Sequence, residues 1–276
     1  MLRYDLHCHS TCSDGLLAPA AVVRRAAARG VGFVALTDHD DTAGLAEAGD
    51  AAAECGIALV PGVEVSATWD DHTIHVVGLG IDAGNEDLQS GLASVREGRD
   101  ARARRIGEAL ERAGIPGALE GARRYVTSER LISRTHFARF LVEAGHVREM
   151  KDVFRRYLAR GLPGYVPHAW ATLAQAVGWI RGAGGQAVLA HPGRYKLGSD
   201  GMRRLVAEFR DHGGEAIEVL SASHAAAQVA QFAALARLHG LKASAGSDYH
   251  GPGESWLDLG DLPPLPGGCV PVWQGW

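Results

Sequence analysis

No apolar run in this 276-residue chain approaches the roughly 20 residues that a helix needs to cross a bilayer, so no membrane partner is expected. Cysteine is scarce. Cys8, Cys12, Cys55 and Cys269 form no CxxC pair, which argues against a disulfide framework or a thiolate metal site. Nothing resembling a secretory hydrophobic region precedes them, and the expectation is a reduced, cytoplasmic protein. Neither sign of charge dominates: 28 basic against 32 acidic residues leave a formal net charge of -4. A global field drawing the protein onto nucleic acid or an anionic membrane is thereby excluded, and any anion binding must be local. Repeats and low-complexity tracts are absent, apart from an alanine bias that suits helices. No obligate protein partner is indicated.

What is present is ordinary globular composition, 46% hydrophobic and 22% charged, enough for a large core. The length exceeds the usual single domain, but barrels of alternating strands and helices reach it as one unit. Short β-prone runs alternate with Ala-rich helical stretches from Leu2 to Val60: strands at 2–7, 32–37 and 57–60, helices at 19–29 and 43–55. The pattern resumes with helices at 172–182, 200–212 and 225–239 and strands at 186–190, 216–220 and 242–245. Such alternation predicts α/β, parallel architecture in which both ends of the chain share one sheet or barrel. Between them, residues 96–168 lack strands and are rich in Arg, with helices near 97–113, 134–144 and 151–160. This reads as a helical insertion covering the substrate pocket, the barrel being 1–95 with 169–276. Pro116, Pro163 and Pro167 punctuate it, and the Pro/Gly-rich tail from Pro263 reads as an irregular wrap or a frayed end.

Several predicted strands end in the same kind of chemistry. In Tyr4-Asp5-Leu6-His7-Cys8-His9-Ser10 two histidines lie two apart, so both imidazoles project the same way and can chelate one ion. Taken alone, the pair is equally two polar residues on one sheet face. The run Val34-Ala35-Leu36-Thr37 ends abruptly in Asp38-His39-Asp40-Asp41, at the place where parallel barrels gather catalytic groups. Asp41 and Thr42 read as caps of the next helix. Glu64 lies in the apolar run Val60-Pro61-Gly62-Val63-Glu64-Val65, where an unpaired carboxylate costs several kcal/mol, so a cation is its expected partner. His75 follows in Thr73-Ile74-His75-Val76, and His72 reads as merely exposed. Another apolar strand delivers His191, and Gly246-Ser247-Asp248-Tyr249-His250 puts Asp and His on one side. Five coincident runs are far less expected by chance than any one of them. Imidazoles and carboxylates without thiolates suit Mn²⁺, Zn²⁺ or Fe²⁺. Paired ions roughly 3.5–4 Å apart can together activate water and neutralise a phosphoryl transition state.

These runs, DLHCHSTCSDG, ALTDHDDTAG, GVEVSA, IHVVGLG, LAHPGR and GSDYHG, resemble the PHP (polymerase and histidinol phosphatase) family, in the family's order and over nearly the whole chain. The resemblance implies a distorted (β/α)₇ barrel and a metal-dependent phosphoesterase with two or three divalent ions, Mn²⁺ first, at the strand C-terminal ends. It assigns His7, His9, Glu64 and Asp248 to one ion, with Glu64 bridging to a second held by His75 and His191. Asp14, His39 and His250 would hold the third. A hydroxide bridging the first two ions would be the nucleophile; the resemblance leaves the general acid unassigned.

Within the family, Ile132-Ser133-Arg134-Thr135-His136-Phe137-Ala138-Arg139 is similar to the branch of nucleoside 3′,5′-bisphosphate phosphatases and 5′-to-3′ oligoribonuclease-like enzymes. Arg134 is then the phosphate clamp, since a guanidinium grips phosphate oxygens bidentately. Arg99, Arg102, Arg104 and Arg105 form a second basic run, with Arg102 and Arg105 placed on one helix face by the i,i+3 rule, either toward a nucleotide phosphate or on a solvated face. Arg194, His136 and His224 are further pocket candidates. The implied substrate carries two phosphates, one hydrolysed over the metals and one held by arginines, as in adenosine 3′,5′-bisphosphate losing its 3′-phosphate. Short 5′-phosphorylated RNA is the neighbouring alternative. A monoester such as histidinol phosphate fits the Arg-rich insertion less well, and a non-enzymatic binding module should have lost ligands that are all present here.

Overall fold

The computed structural model describes residues 3–127 and 131–276; Leu2, the first residue of the first expected strand, lies outside them. Strands β1 (Tyr4–Cys8), β2 (Phe33–Leu36) and β3 (Ala58–Trp69) pair in parallel and are linked by helices α1 (Pro19–Ala28) and α2 (Leu45–Cys55). Pro19 stands at the start of α1, where its missing N–H costs nothing. Gly56 ends α2 in the left-handed conformation, φ 67°.

The expected parallel alternation then breaks. Strand β4 (His72–Leu79) pairs antiparallel with both β3 and β6 (Gln186–Leu189). No helix separates β3 from β4: the chain reverses at Asp70 and Asp71, both with positive φ, 45° and 61°. Such a two-residue turn matches the twist of a hairpin, and Asp tolerates the backbone it needs. The short β5 (Ala171–Thr172) pairs with the outer half of β3. After helix α7 (Leu173–Gly182), β6 pairs in parallel with β7 (Ala216–Ser221), and β7 with β8 (Lys242–Gly246). Helices α8 (Ser199–Asp211) and α9 (Ala226–His239) make those crossovers. His9 N donates to Tyr249 O (2.8 Å) and Asp248 N to His7 O (2.8 Å), so the sheet returns from β8 to β1 and nearly closes. The fold is thus the α/β, distorted barrel expected from the sequence.

One apolar cluster lies inside, drawn from six strands: Leu6, Ala35, Val60, Val77, Val188 and Ala216. Its lower end is stopped by the tail. Val272 joins the cluster, Trp273 stacks on Tyr4 with centroids 4.3 Å apart, and Val272 N donates to Ala243 O (2.9 Å). The tail is therefore an ordered wrap, not a frayed end.

Helix α3 (Glu86–Arg112) begins ten residues before position 96, capped by the Asn85 side chain, which accepts from Leu88 N (3.0 Å). Its first half, with Leu88 and Leu92, packs into the main core; its second, with Ala103, Ile106 and Leu110, joins a separate cluster. That cluster also takes in α4 (Ala118–Arg123), α5 (Arg134–Glu143) and α6 (Met150–Val153), which runs on as a π-helical turn, Phe154–Leu158. Among the described residues, no helix is long and apolar enough to cross a membrane.

Candidate metal centre

The ends of the parallel strands deliver polar side chains to one mouth of the barrel. A register shift between Asp5 and Cys8 interrupts β1, so His7 and His9 project toward the mouth while Cys8 packs outward in the main core. Bulges commonly re-aim side chains in this way beside active sites. Gly246 makes room on the adjacent strand: a Cβ there would lie 2.2 Å from His7 Cβ.

His7 Nε2 and His9 Nε2 are 3.2 Å apart. Glu64 Oε2 lies 3.3 Å from each of them, and Asp248 Oδ1 lies 3.5 Å from His7 and 3.2 Å from His9. An ion with ligands at about 2.1 Å would set them about 3.0 Å apart in octahedral and 3.4 Å apart in tetrahedral geometry, the spacing seen here. Glu64 Oε1 meets His75 Nδ1 at 2.8 Å and His191 Nε2 at 2.9 Å. Asp14 Oδ1 is 3.4 Å from His250 Nε2 and 3.8 Å from His39 Nε2, while His39 Nδ1 lies 2.9 Å from Glu64 Oε2. All nine residues singled out as ligands thus meet in one cluster, and four overlapping groups of three or four have the ligand atoms needed to hold an ion. The donor set is that of divalent metals.

Electrostatics point the same way. Burial pushes the Glu64 carboxyl up, but His75, His39 and His7 hold it well below the usual range. Asp14 is likewise held down against burial by His39 and His250, and Asp248 by Arg194 and His7. Burial lowers His39, and burial with Arg194 lowers His191 to about 4, leaving both neutral, the form in which an imidazole can bind a metal. For His7, burial is outweighed by Glu218, Glu64 and Asp248, and for His9, raised to about 10, by Asp248 and Glu64. Protons on these two imidazoles balance charge that a cation would balance in their place. Asp14 Oδ1 and Glu64 Oε2 are buried without a hydrogen-bond partner, as donors awaiting a cation would be.

Around the cluster lie residues that hold its geometry, several of which the sequence reading missed. Glu218 on β7 accepts from His7 Nδ1 (2.6 Å) and from His191 N (2.5 Å). Its signal was legible, a carboxylate in the apolar strand Ala216–Ser221, the same argument that marked Glu64. Asp38 accepts from Ser10 N (2.7 Å), Ser10 Oγ (2.6 Å) and Ser13 Oγ (2.5 Å), clamping the loop that carries Asp14. Asp40 accepts from Ser66 N (2.7 Å) and Arg99 Nε (2.7 Å). Asp41 does not cap α2; its Oδ1 accepts from Ala43 N (3.0 Å) in a local turn. Asp40, His191 and Asp248 adopt positive φ of 49°, 25° and 54°, strain of the kind that gathers at functional sites.

The expected substrate residues separate. Arg134, at the first position of α5, shares a pocket of about 10 Å³ with Arg99, Arg102, Ser133 and Trp170, room for one water or one phosphate oxygen. Ser133 Oγ donates to Asp14 Oδ2 (2.8 Å), which ties this pocket to the metal centre. The guanidinium carbons of Arg99 and Arg102 lie 4.8 and 5.2 Å from the Trp170 ring centroid. Arg102 donates to Val166 O (3.0 Å), and burial among Arg134 and Arg99 drives it down to about 9, a cation short of anions. Arg105 is exposed and does not line the pocket, because α3 buries its Ala103–Ile106–Leu110 stripe and turns Arg105 outward. His136 is buried, and its Nδ1 accepts from Ser133 N (3.0 Å) at the start of α5. Arg194 pairs with Asp248 and lines a large cleft above the cluster. His224 accepts from Gly193 N (3.2 Å), supporting the His191 loop.

The chain is similar to known proteins over most of its length. The family model described as the PHP domain matches residues 5–219. A 3′,5′-nucleoside bisphosphate phosphatase of Chromobacterium violaceum is 54% identical over 99% of this chain and 96% of its own. The 5′-3′ exoribonuclease Rnm of Salmonella typhimurium is 50% identical over 99% and 93%. The solved structure of an amidohydrolase from Chromobacterium violaceum, with bound sulfate and no metal, superposes with a TM-score of 0.96, at 54% identity over 99% of this chain and 95% of that one.

Proposed function

The chain belongs to the PHP domain family, and we propose that it is a metal-dependent phosphatase removing the 3′-phosphate of nucleoside 3′,5′-bisphosphates to give the 5′-nucleotide. The observation that carries this is the pairing of a complete nine-residue ligand cluster with an adjoining pocket of three arginines, of which Arg102 and Arg134 have no carboxylate partner among the described residues. His7, His9, Glu64 and Asp248 would hold one ion, Glu64, His75 and His191 a second, and Asp14, His39 and His250 a third. Such ions lower the pKa of coordinated water and neutralise phosphoryl charge. The rest falls to this chain's own groups. Arg134 and Arg102 hold an oxygen of the second phosphate at a fixed offset from the cluster, so remote binding energy orients the scissile group. Arg194, beside Asp248, faces the cleft where charge grows on phosphate oxygens. Glu218 fixes the His7 ring. The segment 96–168, which supplies the arginines, covers the pocket as a unit with its own apolar cluster. Imidazole with carboxylate accommodates Mn²⁺, placed first here, as well as Zn²⁺ or Fe²⁺, and four free cysteines suit a reducing, cytoplasmic setting.

A second reading, 5′-3′ exoribonuclease on short 5′-phosphorylated RNA, is favoured by the size of the cleft, about 1260 Å³. The test is phosphate release from adenosine 3′,5′-bisphosphate by Mn²⁺-loaded protein, with simple monoesters and 5′-phosphorylated oligonucleotides alongside. Adenosine 5′-monophosphate is the expected product. Equal turnover of the bisphosphate and simple monoesters would refute the two-phosphate model, and inertness with Mn²⁺, Zn²⁺ and Fe²⁺ alike would refute the activity.

A further inference from the structure

Trp256 is 82% exposed, an unusual position for the largest apolar side chain. It does not sit on a loose loop. Ser255 Oγ accepts from His250 N (2.7 Å) and Gly251 N (3.3 Å), while Glu254 receives Arg139 Nε and Nη2 at 2.8 Å each. The two residues before the indole are therefore tied to the metal-cluster strand end and to α5. A bare aromatic surface is thereby held at fixed height.

Trp256 lines the same cleft as Asp248, His250 and Arg194, so the surface is continuous with the metal centre. Leu16, 40% exposed, lines it on the barrel side, and Met150 and Phe154 face it from the insertion, Phe154 opening the π-helical turn. Arg134 and Arg148 contribute cationic groups without a carboxylate partner among the described residues. At about 1260 Å³ the cleft exceeds the 300–1,000 Å³ typical of small-molecule pockets. A bisphosphate spanning the arginine pocket and the metal cluster leaves this outer part unfilled. Rigid aromatics beside guanidinium groups are the usual platform for single-stranded nucleic acid, because every base has a stacking face.

We infer that Trp256 forms a stacking subsite for the base of a nucleotide on the 3′ side of the scissile phosphate, so that the cleft takes short single-stranded oligonucleotides by their 5′ end. This rests on the phosphoesterase reading above. The strand on the 3′ side, which keeps the phosphoryl group when the P–O3′ bond breaks and the 5′-nucleotide leaves with its 3′-hydroxyl, runs from the metal cluster past His250 onto the indole, and a bisphosphate, which has no such nucleotide, does not touch it.

The test compares wild type, Trp256→Ala and Trp256→Phe, all Mn²⁺-loaded, on adenosine 3′,5′-bisphosphate and a 5′-phosphorylated tetraribonucleotide. Anisotropy of a 3′-fluorescein tetranucleotide made uncleavable by phosphorothioate and 2′-O-methyl substitution reports binding without turnover. Trp256→Ala should raise KM and Kd for the tetranucleotide roughly 5- to 100-fold, leave kcat/KM for the bisphosphate within about twofold, and be largely rescued by Phe. The melting temperature should not move, since the ring is outside the core. An equal loss on both substrates, or an unchanged tetranucleotide Kd, overturns the subsite. Wild-type turnover of the bisphosphate together with either result leaves the phosphatase reading standing. Failure of wild type on both substrates sinks that reading and the subsite with it.

Discussion

Glu218→Gln isolates how far the cluster depends on a residue outside its candidate ligand groups. The carboxylate spans two donors, His7 Nδ1 at 2.6 Å and His191 N at 2.5 Å. Once a cation takes the place of the second imidazole proton, holding Nδ1–H against a carboxylate leaves the His7 Nε2 lone pair facing Glu64 and Asp248. Glutamine keeps the shape but offers one oxygen. If it accepts from His7, its NH₂ meets the His191 amide donor to donor; if it accepts from His191, the NH₂ opposes Nδ1–H. Either clash leaves a buried donor unpaired, about 1–3 kcal/mol. Loss of such a support typically costs 10- to 100-fold in metal affinity, about 1.4–2.8 kcal/mol. Calorimetric titration of the stripped protein with Mn²⁺ should show that weakening, with circular dichroism unchanged. Wild-type Mn²⁺ affinity in Glu218→Gln would refute the claim that this bond positions His7.

Gly246→Ala would force a Cβ to 2.2 Å from His7 Cβ; bound metal measured by plasma mass spectrometry should fall well below wild type, and full occupancy would show that β8 can yield. Arg134→Met should lower kcat/KM for the bisphosphate by about 10- to 100-fold through loss of a charged hydrogen bond of 1.5–3 kcal/mol, with metal content intact; loss of metal would instead make Arg134 a support of the cluster. Phe137→Ala, at a fully buried ring in the second apolar cluster, should cost about 3–5 kcal/mol in denaturant unfolding and expose α5 to protease. A cost near zero would mean that α5 is not anchored by its own core.

Much of this was legible in the sequence because parallel strands put their chemistry at their ends. Apolar runs stopping at His7–His9, Asp38–His39, His191 and Asp248–His250 needed only the period of two and the barrel's polarity. β4 was harder. Its His75 faces the cluster from an antiparallel strand, and the only local sign of the reversal is Asp70-Asp71, a pair that also suits a loop. Asp38, Asp40 and Asp41 stand in the same polar run as His39 but are spent on Ser10, Ser66 and Ala43; which carboxylate faces a cation and which a backbone amide depends on partners brought in from distant segments. Arg102 and Arg105 show the same limit, since the i,i+3 rule gives a shared face but not which edge of it the neighbouring helices cover. The early start of α3 was signalled by Asn85 with Glu86 and Asp87 after it, but the polar, Gly-bearing stretch that follows hides the helical period.

The tail that stoppers the lower rim with Val272 and Trp273 has a kinetic corollary. A vessel sealed at its base exchanges through its lip, so nucleotide and liberated phosphate share the mouth where the cluster lies. Inorganic phosphate accumulating outside should then compete with a fresh molecule for that mouth.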